Sequence, residues 1–240
     1  MARVASLTAL ALTAAVSVAQ AADLRSINLL TQNELQLLVK DLAGASAFKG
    51  LASATPLGLT GFDVAASVGF TQLENPTVWR KASNGRGIFT ETVGPTLRVS
   101  KGLPYGFDVG VVYGGLDNAA ANIAGAELRW AVLPGGVLMP AVGLRVATTR
   151  LAGIEQLRLS NTTYELVVSK GIGPVTPYVS IGRVETEATP RNAGALQRVS
   201  VGQRRVSVGG HVNFGLVDLT LEGDLTGKTQ SGSGRLGFRF

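Results

Sequence analysis

The chain runs to 240 residues, 45% hydrophobic and 16% charged, with 31 glycines, no cysteine, one histidine and a formal net charge of +6. Without cysteine there is no disulfide scaffold, iron–sulfur cluster or thiolate zinc site, and one histidine excludes a multi-histidine metal centre, so no cofactor or metal is expected. A mean hydropathy of +0.26 with so few charges argues against disorder, and the length allows one large domain or two small ones.

In chain order, the first element is an address. Met1-Ala2-Arg3, an apolar run over residues 4–18 and Ala19-Gln20-Ala21 form a secretory signal peptide over 1–21, cut before Ala22. The run is short of the roughly 20 residues that a spanning helix needs. Helical periodicity then occurs once, at 31–43. Thr31 with Glu34 makes a capping box, Leu30 and Leu35 a hydrophobic staple, and Gly44 a stop. Leu35, Leu38 and Leu42 share one face, as in any short amphipathic helix. The segment 22–57 is expected on the periplasmic side or as a plug.

From residue 58 the period becomes two. Phe62, Val64, Ala66, Val68 and Phe70 alternate with Gly61, Asp63, Ala65, Ser67 and Gly69, and the rhythm recurs down to Leu236, Phe238 and Phe240. It predicts ten strands, at 58–71, 90–101, 105–115, 121–132, 138–150, 155–170, 174–187, 197–214, 216–227 and 230–240. Eight to twelve strands are compatible with the pattern, the larger number drawing residues 46–54 into a strand. Short connections such as 101–104 alternate with long polar ones such as 72–89 and 188–196, which is how outer-membrane barrels are built.

The faces decide which side meets what. The polar faces are rich in glycine, alanine and serine, which cover a soluble surface poorly but leave room in a lumen. The apolar faces carry aromatics near the strand ends: Phe62, Phe107, Trp130, Phe214, Phe238 and Phe240 toward the short turns, Phe70 and Tyr113 toward the long loops. Two such girdles mark the membrane interfaces. The terminal Gly237-Phe238-Arg239-Phe240 is similar to the signal that outer-membrane assembly machinery reads. The expected fold is therefore all-β, a transmembrane antiparallel up-and-down β-barrel of about ten strands with a short N-terminal amphipathic helix.

Particular strings agree. Leu30-Thr31-Gln32 with Asp41-Leu42, then PLGLTGFDV (56–64), KGLPYGFDVG (101–110), GAELRWAVL (125–133), PAVGLR (140–145), SKG (169–171) and TPYVSIGRV (176–184) resemble a family of proteobacterial outer-membrane β-barrel proteins. The resemblance spans most of the mature chain. It implies a barrel in the bacterial outer membrane and supplies no catalytic residues.

The inward faces carry both signs: Arg98, Arg129, Arg145, Arg158, Arg235 and Arg239 against Asp63, Asp108, Glu127, Glu165, Asp218, Glu222 and Asp224. Buried charges persist when paired, so a salt-bridged lumen is expected. Asp218, Glu222 and Asp224 of the ninth strand would face Arg235 and Arg239 of the tenth, with Asp63 nearby. Ten strands leave modest room for water, a small ligand or the helix. Arg204-Arg205 lies where the alternation of the eighth strand slips, which predicts a bulge. The arginines also suit lipopolysaccharide phosphates at the rim.

No enzyme is expected. His211 shares its face with Asn213, not with a serine, and reads as a lumen histidine bonded to a carboxylate. Gly232–Gly237 matches GxGxxG without a following helix, Gly223–Thr229 is one residue short of a P-loop, and Asn161-Thr162-Thr163 is a glycosylation acceptor by letters alone. The functional expectation is a narrow pore or transport-related barrel with a salt-bridged, helix-plugged lumen. The alternatives are a non-conducting structural or partner-binding barrel and, third, a lipid-active enzyme. Outer-membrane lipids and lipopolysaccharide, the assembly machinery and a periplasmic protein are the expected partners; nucleic acid is not.

Overall fold

The computed structural model describes residues 24, 26–85, 91–117 and 121–240. The signal peptide lies outside the described residues. Alternation from Phe62 onward folds as ten strands: β1 (Phe62–Gln72), β2 (Glu91–Gly102), β3 (Phe107–Leu116), β4 (Ala121–Leu133), β5 (Ala141–Ala152), β6 (Leu157–Ser169), β7 (Val175–Pro190), β8 (Val199–Phe214), β9 (Val217–Thr226) and β10 (Thr229–Arg239). Each pairs antiparallel with its sequence neighbours, and β10 closes on β1 from Asp63↔Arg239 to Thr71↔Ser231. Closure gives every strand a hydrogen-bonded neighbour on both sides, which a lipid environment demands.

Outward positions form an apolar belt. On β8 it runs from Phe214 through Val212, Gly210 and Val208 to Val206, the span a transmembrane strand needs, and Arg204 follows directly above. At the short-turn end Phe62 packs against Phe240 and Phe107 stacks on Trp130, with ring centroids 5.4 and 5.6 Å apart. Phe214 and Phe238 point outward at the same level, and Phe70 and Tyr113 point outward at the other. A water-soluble barrel would expose none of this and would keep its charges outside; here the charges are inside.

Two helices precede and interrupt the barrel: α1 (Gln32–Ser46) and α2 (Pro76–Ala82). Both bonds of the capping box form: the Glu34 backbone N–H donates to Thr31 Oγ1 at 3.3 Å, and the Thr31 N–H donates to Glu34 Oε2 at 2.7 Å. Lys81 of α2 adds an ion pair to Glu34 at 2.7 Å. These donors hold the Glu34 carboxyl at about 2, below its ordinary 4.5. A carboxyl lowered in the fold supports it above pH 4.5, and that support disappears as pH falls toward 2. Hydrogen exchange at the first turn of α1 should therefore accelerate through that acid window in the parent and show no such transition in Glu34→Gln.

The structure departs from the sequence reading at four places. α1 runs through Gly44 to Ser46, because that glycine lets the helix backbone meet Thr229 of β10: a Cβ at Gly44 would stand 2.6 Å from the threonine side chain. The 72–89 connection is not wholly irregular, since Asn75-Pro76 starts α2, with proline where its missing N–H costs nothing. Arg158 faces outward and is exposed. Finally, β8 has no bulge at Arg204-Arg205: its registers with β7 and β9 are continuous, and among the described residues the one register shift of the barrel falls in β4 between Ala131 and Leu133. The apparent slip arises because Val199 and Val201 point inward onto α1, so the top of β8 is apolar inside and the bottom apolar outside.

Candidate functional site

The lumen is filled from both ends of its length by residues that precede β1. Leu35, Leu38 and Leu42 of α1 are fully buried, in one cluster with Leu73, Val78 and Trp79 of the first long connection and with the inward tops of several strands, Leu116, Ile123, Leu151, Leu159 and Val199 among them. These neighbours all lie toward the long loops, the outward-facing end in this architecture. The sequence left this segment either on the periplasmic side or in the lumen as a plug. The chain enters at the long-loop end, descends inside the barrel as α1, and continues as an extended strap over residues 47–61 to reach β1 at the short-turn end.

A buried aspartate fixes α1 to α2. Asp41 accepts from the Asn75 backbone N–H, Asn75 Nδ2 and Trp79 Nε1, each at 2.9 Å. Burial pushes the Asp41 carboxyl up, against these donors, which favour the ionised form. Asp41→Ala leaves the indole N–H and an amide buried without their acceptor, and should cost about 2 kcal/mol in a urea titration, with Asp41→Asn costing less because one acceptor oxygen remains.

Below α1 the wall grips the strap by its backbone. Arg98 donates to the carbonyls of Lys49 and Gly50, and Arg145 to that of Ala52 at 3.2 Å. Carboxylates take the N–H groups: Leu51 donates to Glu222 at 3.1 Å and Leu57 to Asp108 at 3.0 Å, while Ala54 donates to Ser169 Oγ at 3.1 Å. Arg98 also lies 4.6 Å over the Phe48 ring. Leu51 sits at φ 47, a region a bulky side chain adopts only when its surroundings dictate it.

The charges that do the gripping also pair with each other. Arg205 is 1% exposed and reaches three carboxylates, with Nε 2.9 Å from Glu165, NH2 3.1 Å from Glu222 and NH1 2.6 Å from Asp224. Arg145 bridges Glu127 at 3.2 Å and Glu165 at 2.8 Å, Arg98 meets Glu127 at 3.2 Å, and Arg129 meets Asp108 at 3.3 Å. Tyr178 donates to Glu222 at 2.8 Å. Lys49 comes from the strap itself, with Nζ 3.0 Å from Asp224 and 2.8 Å from Ser231 Oγ. Among the described residues this network holds five cations (Lys49, Arg98, Arg129, Arg145, Arg205) and five carboxylates (Asp108, Glu127, Glu165, Glu222, Asp224). Without the strap the wall would be one cation short.

A second, smaller group lies toward the short turns. Arg235 joins Asp63 and Asp218, and Arg239 stands 3.6 Å from Asp63. The expected partnership of β10 arginines with Glu222 and Asp224 does not form; Arg205 and Lys49 take those two acids. His211 Nδ1 bonds Thr220 Oγ1 at 3.0 Å and lies 3.7 Å from Asp218. Asn213 is exposed at the rim, where its side chain accepts the Gly215 N–H. Arg205, Lys49 and Tyr178 were missed as site residues. Arg205 was hidden by the apparent slip in β8, Lys49 by its place outside any strand, and Tyr178 by its phenol. No group of three or more His, Cys, Asp or Glu suited to a metal occurs among the described residues.

No family model matches the chain, and no curated protein matches it. Solved structures similar to it are barrels. The N-terminal β-barrel domain of Pseudomonas aeruginosa OprF is 12% identical, covering 76% of this chain and 99% of that one at a TM-score of 0.35. OprG from the same organism is 8% identical, covering 79% and 99% at 0.33, and Neisserial surface protein A is 12% identical, covering 75% and 94% at 0.33. Likeness at that level carries nothing about activity. The apolar belt, the aromatic pairs at its edge, the closed ring of strands and the charged interior make this chain an integral β-barrel of the bacterial outer membrane.

Proposed function

We propose that this barrel is sealed by its own N-terminal segment and works as a non-conducting structural or partner-binding protein in the resting state, presenting the start of α1 and the long loops at the outer face. The observation that carries the reading is the charge balance of the lumen, which needs Lys49 of the strap to close. The space left around the strap supports it: voids of about 40 Å³ beside Phe48 and Arg98 and about 10 Å³ beside Asp63 and Arg129. A single water needs roughly 10–15 Å³ of such volume, so these hold a few waters and no solute.

Planar-bilayer recording tests the reading. The refolded mature chain should be electrically silent, with its fold verified by heat-modifiable gel mobility. A chain lacking 22–57 should conduct and prefer cations, since the remaining wall carries one carboxylate more than it has cations. Steady conductance from the intact chain would overturn the proposal and return the strap to the status of a gate.

A further inference from the structure

Above the apolar belt the barrel wall has a gap. β8 reaches Val199, but its pairing with β9 stops at Arg205↔Thr226, where Gly227-Lys228 turns the chain into β10. Gly227 has φ 63, as the first position of a tight hairpin turn requires. On the far side β1 pairs with β10 only as far as Thr71↔Ser231. This short hairpin leaves a notch between the upper part of β8 and residues 72–75, and α1 stands behind it with Leu37 and Lys40 exposed.

The notch holds a pocket of about 460 Å³. Lys40, Arg204 and Lys228 line it from three different elements, and none of them makes an ion pair or side-chain hydrogen bond among the described residues. Asp41 and Glu74 also line it, but both Asp41 oxygens are taken by Asn75 and Trp79. Three free cations thus face one uncommitted carboxylate. Arg183, which pairs across the strands with Arg204, is bound to Glu185. Arg204 and Lys228 stand one step above the belt, at the depth of outer-leaflet headgroups.

The wall is grooved one outward pair further down, beneath Leu225 and Gln230. Gly223 and Gly232 are paired and point outward, and a Cβ on either would touch nothing within 4 Å. Val208 pairs with Gly223 and Phe70 with Gly232, so two exposed side chains rim the two bare positions. A cationic notch over a smooth apolar groove matches a phosphate joined to an acyl chain. We propose that this face binds a phosphorylated lipid of the outer leaflet, the lipid A part of lipopolysaccharide, with its phosphate among Lys40, Arg204 and Lys228 and one acyl chain along Gly223 and Gly232. The site is separate from the filled lumen and does not depend on whether the barrel conducts.

Native mass spectrometry of the full mature chain in neutral detergent tests this, with lipid A, dephosphorylated lipid A and inorganic phosphate as probes. The parent should retain one lipid A. Arg204→Ala/Lys228→Ala, at exposed positions, should retain it about tenfold less, and so should dephosphorylated lipid A with the parent. Gly223→Leu/Gly232→Leu should weaken retention through the groove with the cations intact, and Arg204→Gln serves if the double alanine chain loses its heat-modifiable mobility. Equal retention by the alanine chain, or equal binding of the dephosphorylated lipid, overturns the proposal. Displacement by inorganic phosphate with the leucine chain unaffected also overturns it, in favour of a free phosphate.

Discussion

Arg205→Ala should fail to reach the compact, heat-modifiable state under conditions that refold the parent. Among the described residues its guanidinium is the sole cation paired with Glu222, and it is shared by Glu165 and Asp224, all three with side chains at most 1% exposed. Removing one partner from a buried ion pair costs about 3–5 kcal/mol, because the remaining charge is stranded where water cannot reach it. Here three carboxylates lose a partner at once. Arg145 still holds Glu165 and Lys49 still holds Asp224, so the heaviest loss falls on Glu222. That residue also accepts the Leu51 N–H and the Tyr178 hydroxyl, so any displacement of its carboxylate would disturb the strap. Arg205→Lys separates charge from shape: a lysine keeps the charge but cannot span three acids in a fixed fork, and should fall between parent and alanine. An unfolding free energy for the alanine chain, from urea titration, within about 1 kcal/mol of the parent's would show that the neighbouring cations suffice.

The strands and their order were legible because one face met lipid and the other a polar lumen, which is the condition under which period-two alternation is cleanest. The alternation failed at the tops of the strands for a physical reason. There the lumen is occupied by the leucine face of α1, so Leu151, Leu159 and Val199 point inward, and inside and outside are both apolar. That misplaced the bulge and masked Arg205. The capping box was readable from Thr31 and Glu34 alone, since both bonds are local. The path of residues 47–61 was not, because nothing periodic marks an extended strap whose backbone is gripped by residues far along the chain. Gly44 shows the same limit: a glycine near a helix end reads as a stop, whereas its role is close contact with Thr229 across the lumen.

Lys49 links the stability of the lumen to its seal, and a mutant cycle with Asp224 should expose that link. Lys49→Met removes the one cation that the strap contributes and leaves Asp224 to Arg205 alone. The Gly44 carbonyl and Ser231 hydroxyl lose a donor as well. A destabilisation of about 3 kcal/mol is expected, at the low end for a broken buried pair because Lys49 retains some exposure and Arg205 remains. Asp224→Asn alone should cost a comparable amount by stranding the ammonium. In Lys49→Met/Asp224→Asn neither charge is left over, the lumen is again balanced, and much of the loss should return, giving a coupling energy of about 2 kcal/mol. The bilayer recording should follow the same pattern. The single Lys49→Met chain, whose wall repels no anion less than before but no longer holds the strap by charge, should open in brief cation-selective events, and the double variant should fall silent again. Additive costs with unchanged silence would mean that the backbone bonds from Arg98, Arg145, Glu222 and Asp108 hold the strap without help, and that Lys49 serves only as a second partner for Asp224 beside Arg205.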